Sequence, residues 1–116
     1  SISCPLDSKS RGMIGAREFA LMQPHAYFVT TARGFIHDEK ALEEALRDKR
    51  IAGAGLDVFA QEPHAPDALT ALPNVVLSPH LGGHTLESHV AMQDCVLANL
   101  DAFFAGTPLP YKVSGT

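Results

Sequence analysis

Apolar residues follow two rhythms along this chain, short continuous runs and helical stripes. Ala26-Tyr27-Phe28-Val29-Thr30-Thr31 is aromatic and β-branched on both parities, the pattern of a strand buried on both faces, and it stops at Arg33-Gly34. Gly53-Ala54-Gly55-Leu56-Asp57-Val58-Phe59 reads as a second strand, built from small residues and carrying a carboxylate near its end. Val75-Val76-Leu77-Ser78 reads as a third, halted by Pro79-His80. Between the first two, Asp38 caps a helix that runs to about Asp48, with Ala41, Leu42, Ala45 and Leu46 on one stripe and Lys40, Glu43, Glu44 and Arg47 on the other. After Gly82-Gly83, Thr85 caps a longer helix in which Leu86, Val90, Met92, Val96, Leu97, Leu100, Phe103 and Phe104 keep helical register until Gly106 and Pro108. Residues 8–24 fit one or two short helical turns, and the stretch punctuated by Pro63, Pro66 and Pro73 reads as irregular. Ser1-Ile2-Ser3-Cys4-Pro5-Leu6 reads as the tail of a strand entering a loop. Strands separated by crossovers of a dozen or more residues predict a parallel sheet in an α/β domain.

Composition narrows the function classes. At 116 residues with 46% hydrophobic residues, the chain is one domain in size and can bury a core without disulfide or metal staples. A net charge of −4 with no Lys/Arg block leaves no basic patch for a phosphate backbone, so nucleic acid is not an expected partner. No apolar run approaches the roughly 18 residues of a membrane span, so no membrane partner is expected either. Cys4 and Cys95 are too few and too distant for a disulfide framework, which favours a reducing, cytoplasmic setting. The opening has no initiator Met and no signal-peptide pattern, and predicts a segment excised from a longer chain.

Ligands of an open parallel sheet bind beyond the carboxyl ends of its strands. Three successive strand ends here carry Thr31-Ala32-Arg33-Gly34, then Asp57 with Glu62 just beyond, then His80-Leu81-Gly82-Gly83. The Arg33 guanidinium offers a planar fork for a carboxylate, and an imidazole such as that of His80 can give or take a proton near neutrality. A glutamate beside that histidine orients its ring and favours the protonated form. His80, His84 and His89 do not make a metal site, because they straddle a Gly-Gly turn with no cysteine nearby, and no metal is expected. His25, His37 and His64 are expected on the surface, and Cys95, mid-helix, as a small buried hydrophobe.

Taken together, Thr31-Ala32-Arg33-Gly34, Gly53-Ala54-Gly55-Leu56-Asp57-Val58-Phe59, Glu62-Pro63, Leu72-Pro73-Asn74-Val75 and Pro79-His80-Leu81-Gly82-Gly83 resemble the NAD(P)-dependent D-2-hydroxyacid dehydrogenases, the family of phosphoglycerate dehydrogenase and glyoxylate/hydroxypyruvate reductase. The resemblance covers nearly the whole chain. It implies the second half of a Rossmann-type parallel-sheet NAD(P)-binding domain over residues 1–84, then a C-terminal helix and tail, 85–116, returning toward a substrate domain that this sequence does not contain. It implies that Arg33 holds the substrate's carboxylate and carbonyl, that His80 gives the proton to the keto oxygen, and that Glu62 is its paired carboxylate. Asp57 falls at the position near the nicotinamide carboxamide and Cys4-Pro5 at the loop beside the adenosine, while Thr31, Ala32, Gly82 and Gly83, with Arg33 and His80, complete the implied cofactor contacts.

The implied activity is hydride transfer between NAD or NADP and a small 2-keto or D-2-hydroxy acid, in a homodimer. The alternative is an NAD(H)-sensing, corepressor-like scaffold of the same fold without turnover, which has no physical need for Arg33, Glu62 and His80 together. The sequence departs from the family at Ser3, where His is frequent, at Phe35, where a second Gly is common, at His37, where a β-branched residue is common, and at His84, where Ala or Ser usually follows Gly-Gly. It also contains no G-x-G-x-x-G phosphate loop. Gly53-x-Gly55 lies inside a predicted strand and lacks the third glycine, which makes it a packing feature.

Overall fold

The computed structural model describes residues 1–113. Its sheet has three parallel strands in the order β1 (Tyr27–Thr30), β2 (Gly53–Leu56), β3 (Val75–Leu77), with Phe28 opposite Ala54 and Leu56 opposite Leu77. A helix α1 (Ala16–Leu21) precedes β1, a 3-10 turn (Gly34–Ile36) and α2 (Glu39–Arg47) cross from β1 to β2, and α3 (Asp67–Thr70) lies in the crossover to β3. The α/β parallel architecture expected from the sequence is therefore the one observed.

Helix α2 forms where its capping and its stripe agree. The Asp38 carboxylate accepts the Ala41 N–H at 3.0 Å, which satisfies one of the first-turn donors, and Ala41, Leu42, Ala45 and Leu46 are all buried. They join Phe19 of α1, Phe28 of β1, Ile51, Leu56 and Leu69 in one core. The rings of Phe19 and Phe28 meet edge to face at 5.2 Å. Each leucine, isoleucine or phenylalanine side chain so removed from water contributes about 1.5–3 kcal/mol.

Four expectations need correction. β1 is not buried on both faces: Phe28 and Thr30 point into the core while Tyr27 and Val29 are exposed, because among the described residues only one side of the strand contributes to the core. The proline-punctuated stretch is not wholly irregular, since Asp67–Thr70 winds into α3, which places Leu69 in the core. His37 is buried, not on the surface: the backbone around it pairs with Ile14, and its ring lies against Phe28. Cys95 is only partly buried. The opening residues do run alongside β1, but only through a single bridge between Ile2 and Thr30.

Two close approaches require glycine. A Cβ on Gly53 would fall 2.7 Å from the Asn74 carbonyl oxygen, so this glycine serves strand packing. A Cβ on Gly34 would fall 2.0 Å from the Phe59 main chain, and its absence lets the loop after β1 lie directly on the chain leaving β2.

The chain divides into two compact units, Ser1–Gly82 and the part from Gly83 onward. The second is built on α4 (Leu86–Phe104), whose Thr85 hydroxyl accepts the Ser88 N–H while the Ser88 hydroxyl accepts that of Thr85. Past the helix, the Asn99 side chain accepts the Tyr111 N–H at 3.0 Å and donates to the Tyr111 carbonyl at 3.2 Å, tying the tail back to the helix. None of the α4 residues is buried.

Candidate active site

The carboxyl ends of the three strands deliver the polar groups that the sequence places there. Thr31, Ala32 and Arg33 leave β1, with Ala32 buried and Arg33 exposed; the Arg33 guanidinium donates to the Ala32 carbonyl at 2.7 Å. On the other side of this rim the opening loop is pinned by Ser10, whose hydroxyl donates to the Pro5 carbonyl at 2.7 Å and accepts the Asp7 N–H at 2.9 Å. Between loop and strand end lies a cavity of about 630 Å³ lined by Cys4, Pro5, Leu6, Thr31, Ala32 and Arg33 with Ser3. It thus gathers five of the expected cofactor residues.

Asp57 follows β2 directly and is buried. Its Oδ1 accepts the Ser78 hydroxyl at 2.5 Å and the Leu81 N–H at 2.7 Å, and its Oδ2 accepts the Gly82 N–H at 2.7 Å. Burial pushes the Asp57 carboxyl up, but the Ser78 hydroxyl and the two N–H groups outweigh it and hold the carboxyl below the usual range. The group is therefore a buried anion compensated first by neutral donors, with a smaller Coulombic contribution from His80.

Glu62 sits on the turn after β2, before a cis bond to Pro63. Its Oε1 accepts the Phe59 N–H at 3.1 Å, while Glu39 at the start of α2 accepts the Ala60 N–H at 2.7 Å and holds the same turn from behind. Its Oε2 lies 2.7 Å from Nδ1 of His80. The contact to His80 and then the Phe59 N–H hold the Glu62 carboxyl below its usual range, with a further Coulombic contribution from Arg33. Arg33 makes no ion pair with Glu62 and acts on it through charge alone.

His80 has a left-handed backbone, φ 57°, and its N–H donates to the Asp57 carbonyl at 2.9 Å. Its side chain is 41% exposed, and with Nδ1 on Glu62 the other ring nitrogen, Nε2, has no hydrogen-bond partner among the described residues. A cleft of about 110 Å³ lined by Phe59, Glu62, Pro63, Pro79 and His80 opens beside the pair. Chemically, this is an imidazole fixed by a carboxylate and free to exchange a proton on one side.

The structure thus brings Glu62 and His80 into contact and gathers Cys4, Pro5, Thr31, Ala32 and Arg33 around one cavity, with Asp57 bound to the turn that contains Gly82. Gly83 begins the second unit, where its carbonyl accepts the Ser88 hydroxyl. The rings of His84 and His89 meet edge to face with centroids 5.0 Å apart, and no group of three metal-ligating side chains occurs among the described residues. Sequence reasoning missed Ser78, which it treated only as the end of a strand. The signal was available: one step beyond the Leu56–Leu77 pair, a carboxylate and a hydroxyl must lie side by side on adjacent parallel strands.

Residues 1–82 match the family described as D-isomer specific 2-hydroxyacid dehydrogenase, NAD binding domain. The chain is 44% identical over 114 residues to a glyoxylate reductase of Thermococcus litoralis, covering 98% of this chain and 34% of that protein. It superimposes with a TM-score of 0.88 and 36% identity on an NADPH-dependent glyoxylate/hydroxypyruvate reductase from Sinorhizobium meliloti in complex with NADP and malonate, covering 97% of this chain and 35% of that one. The D-lactate dehydrogenase of Lactobacillus jensenii with NAD+ gives a TM-score of 0.83 at 33% identity, covering 97% of this chain and 38% of that one. The chain spans about a third of the length of the curated relatives it matches.

Proposed function

The chain belongs to the D-isomer specific 2-hydroxyacid dehydrogenases, within their NAD-binding domain, and from that premise we propose that the whole protein reduces a small 2-keto acid of the glyoxylate or hydroxypyruvate class to its D-2-hydroxy acid, or runs the reverse reaction. The observation that carries this is the 2.7 Å contact between Glu62 Oε2 and His80 Nδ1, which leaves Nε2 open.

A nicotinamide dinucleotide, NAD or NADP, supplies the hydride when bound. The residues present fit one part of it: Thr31, Ala32 and Arg33 with Cys4 and Pro5 would line its cleft, and Asp57, His80, Gly82 and Gly83 would flank the reacting end. A pyrophosphate needs the backbone donors of a glycine-rich turn at a helix N-terminus, and this sequence has no such motif.

This chain's own chemistry is proton transfer and charge. His80 donates from Nε2 to the keto oxygen while Glu62 holds its ring by Nδ1 and stabilises the imidazolium. Arg33 anchors the substrate's carboxylate, and both cations offset charge developing on the oxygen. In the same reading residues 1–84 form the second half of the cofactor domain, 85–116 return toward a substrate domain, and the full-length protein is a cytoplasmic homodimer.

The test is a 2-keto acid panel with NADH and NADPH, read by loss of the reduced-cofactor absorbance. Turnover of glyoxylate or hydroxypyruvate is expected. Cofactor binding with no turnover of any 2-keto acid would overturn the reading in favour of a scaffold.

A further inference from the structure

Ser78 stands outside every role assigned above, yet it touches the group on which the catalytic turn depends. Asp57 gathers three consecutive residues of that turn: its carbonyl accepts the His80 N–H at 2.9 Å, and its carboxylate accepts the Leu81 and Gly82 N–H groups, each at 2.7 Å. The turn has a conformation that would not persist unaided. His80 sits at φ 57°, and a left-handed backbone in a residue with a Cβ is held only where its surroundings over-determine it. The ring direction of His80 follows from that backbone, and with it the reach of Nδ1 to Glu62.

The carboxylate that enforces this shape must itself be fixed. Both oxygens are occupied by main-chain donors, and among the described residues the one side chain that donates to it is Ser78, through Oγ to Oδ1 at 2.5 Å. Ser78 is held in turn, its N–H donating to the Leu56 carbonyl at 2.9 Å in continuation of the β2–β3 ladder. The hydroxyl therefore ties the carboxylate to a strand end, whereas its other two donors belong to the turn that the carboxylate itself shapes. Burial opposes the Asp57 anion, and among the contacts that offset this the Ser78 hydroxyl is the largest.

We propose that Ser78 is a positioning residue: its hydroxyl locks the Asp57 carboxylate, the carboxylate shapes the 80–82 turn, and the turn aims the His80 imidazole at Glu62. The kinetic consequence rests on the reading of His80 as proton donor; the structural consequence does not.

Both are measurable in the full-length protein. In Ser78→Ala, kcat falls about ten-fold, the worth of one hydrogen bond to a charged group, while KM for the reduced cofactor stays within about two-fold. Ser78→Thr keeps the hydroxyl and restores kcat. Ser78→Cys, close in size to serine and a poor donor, reproduces the alanine loss, so a defect that cysteine repairs would mean packing and would overturn the proposal.

The readout free of catalysis is NMR of the Leu81 and Gly82 amide protons, which sit on the Asp57 carboxylate and follow its ionisation. In Ser78→Ala their titration midpoint moves to higher pH, because the anion has lost a donor. Wild-type turnover with a Ser78→Ala kcat within about two-fold of it would overturn the proposal. If the wild type turns over no 2-keto acid, the proposed function fails, and the amide titration alone judges Ser78: an unmoved midpoint overturns its role.

Discussion

The imidazole of His37 lies 5.4 Å from the ring of Phe28, centroid to centroid, and neither of its nitrogens has a hydrogen-bond partner among the described residues. A buried polar group in that state costs about 1–3 kcal/mol, and charging it costs more. Burial accordingly holds the His37 imidazole below its ordinary value of 6.5, with the neighbouring Asp38 carboxylate opposing the shift more weakly. Protons then bind the unfolded chain in preference to the folded one. Stability is complete above the ordinary histidine value and is lost as pH falls from there through the lowered folded value. Replacing His37 by Val removes both the unpaired nitrogens and the titration. Thermal unfolding followed at pH 7 and pH 5 should show a smaller drop for His37→Val than for the wild type. The variant should be the more stable at pH 5 by about 1 kcal/mol, or roughly 4–8 °C for a domain of this size. Parallel pH profiles would exclude His37 as the source.

Removing the proton donor should separate chemistry from binding. His80→Asn keeps a polar side chain of similar reach and leaves the Asp57–Gly82 contacts in place, since they use main-chain donors. The loss of a general acid is worth about 10²–10⁴ in rate. A fall in kcat of that order with cofactor affinity unchanged is the expected result. A variant within a few-fold of wild type would place the proton elsewhere.

Glu62 makes a prediction of another kind, in the pH profile of the reaction. Its carboxyl is held below the usual range by His80 first and by the Phe59 N–H second, so it stays an anion well into acid and keeps its charge against the imidazolium. Glu62→Gln keeps the geometry of a hydrogen bond but removes that charge. In the wild type that charge persists as pH falls through the ordinary carboxylate value and is lost only below it, so kcat should fall on that acid side, a limb that the glutamine variant lacks. The acid limb of the kcat profile checks this, and the same limb in both proteins would remove Glu62 from the pairing role.

The sequence and the structure agree where a residue's neighbours are local or strand-adjacent. Asp38 and Thr85 announce their helices because capping is a contact within three residues, and both bonds form. The Glu62–His80 contact was legible only jointly, since 18 residues separate them and no spacing rule joins them; what joins them is that successive parallel strands end on one rim. His37 misled because a histidine in a polar-looking context is usually solvated. Its burial comes from Phe28 and from pairing with Ile14, both distant in sequence. Tyr27 and Val29 misled for a related reason: β-branched and aromatic composition says that a strand has packing capacity on both faces, not that both are covered. The brief helix over Asp67–Thr70 is too short for any periodicity to reveal.

The last prediction concerns the 116-residue chain studied by itself. Its cleft offers the loop and strand-end contacts of Cys4, Pro5, Thr31, Ala32 and Arg33, but a dinucleotide carries two phosphates, and these are the most demanding part to desolvate. Their usual partners are the clustered N–H groups of a glycine-rich turn that opens a helix. Glycine pairs occur here as Gly53-x-Gly55, inside β2, and as Gly82-Gly83, where the Gly82 N–H is already given to Asp57. Neither can serve a pyrophosphate. Without those donors the remaining contacts must offset the association cost from one end of the ligand only. The chain alone should therefore bind NADH more weakly than about 1 mM, near −4 kcal/mol. Calorimetric titration with NADH and with NADPH measures it, and micromolar binding by a monomeric chain would show that the strand-end contacts suffice without a phosphate loop.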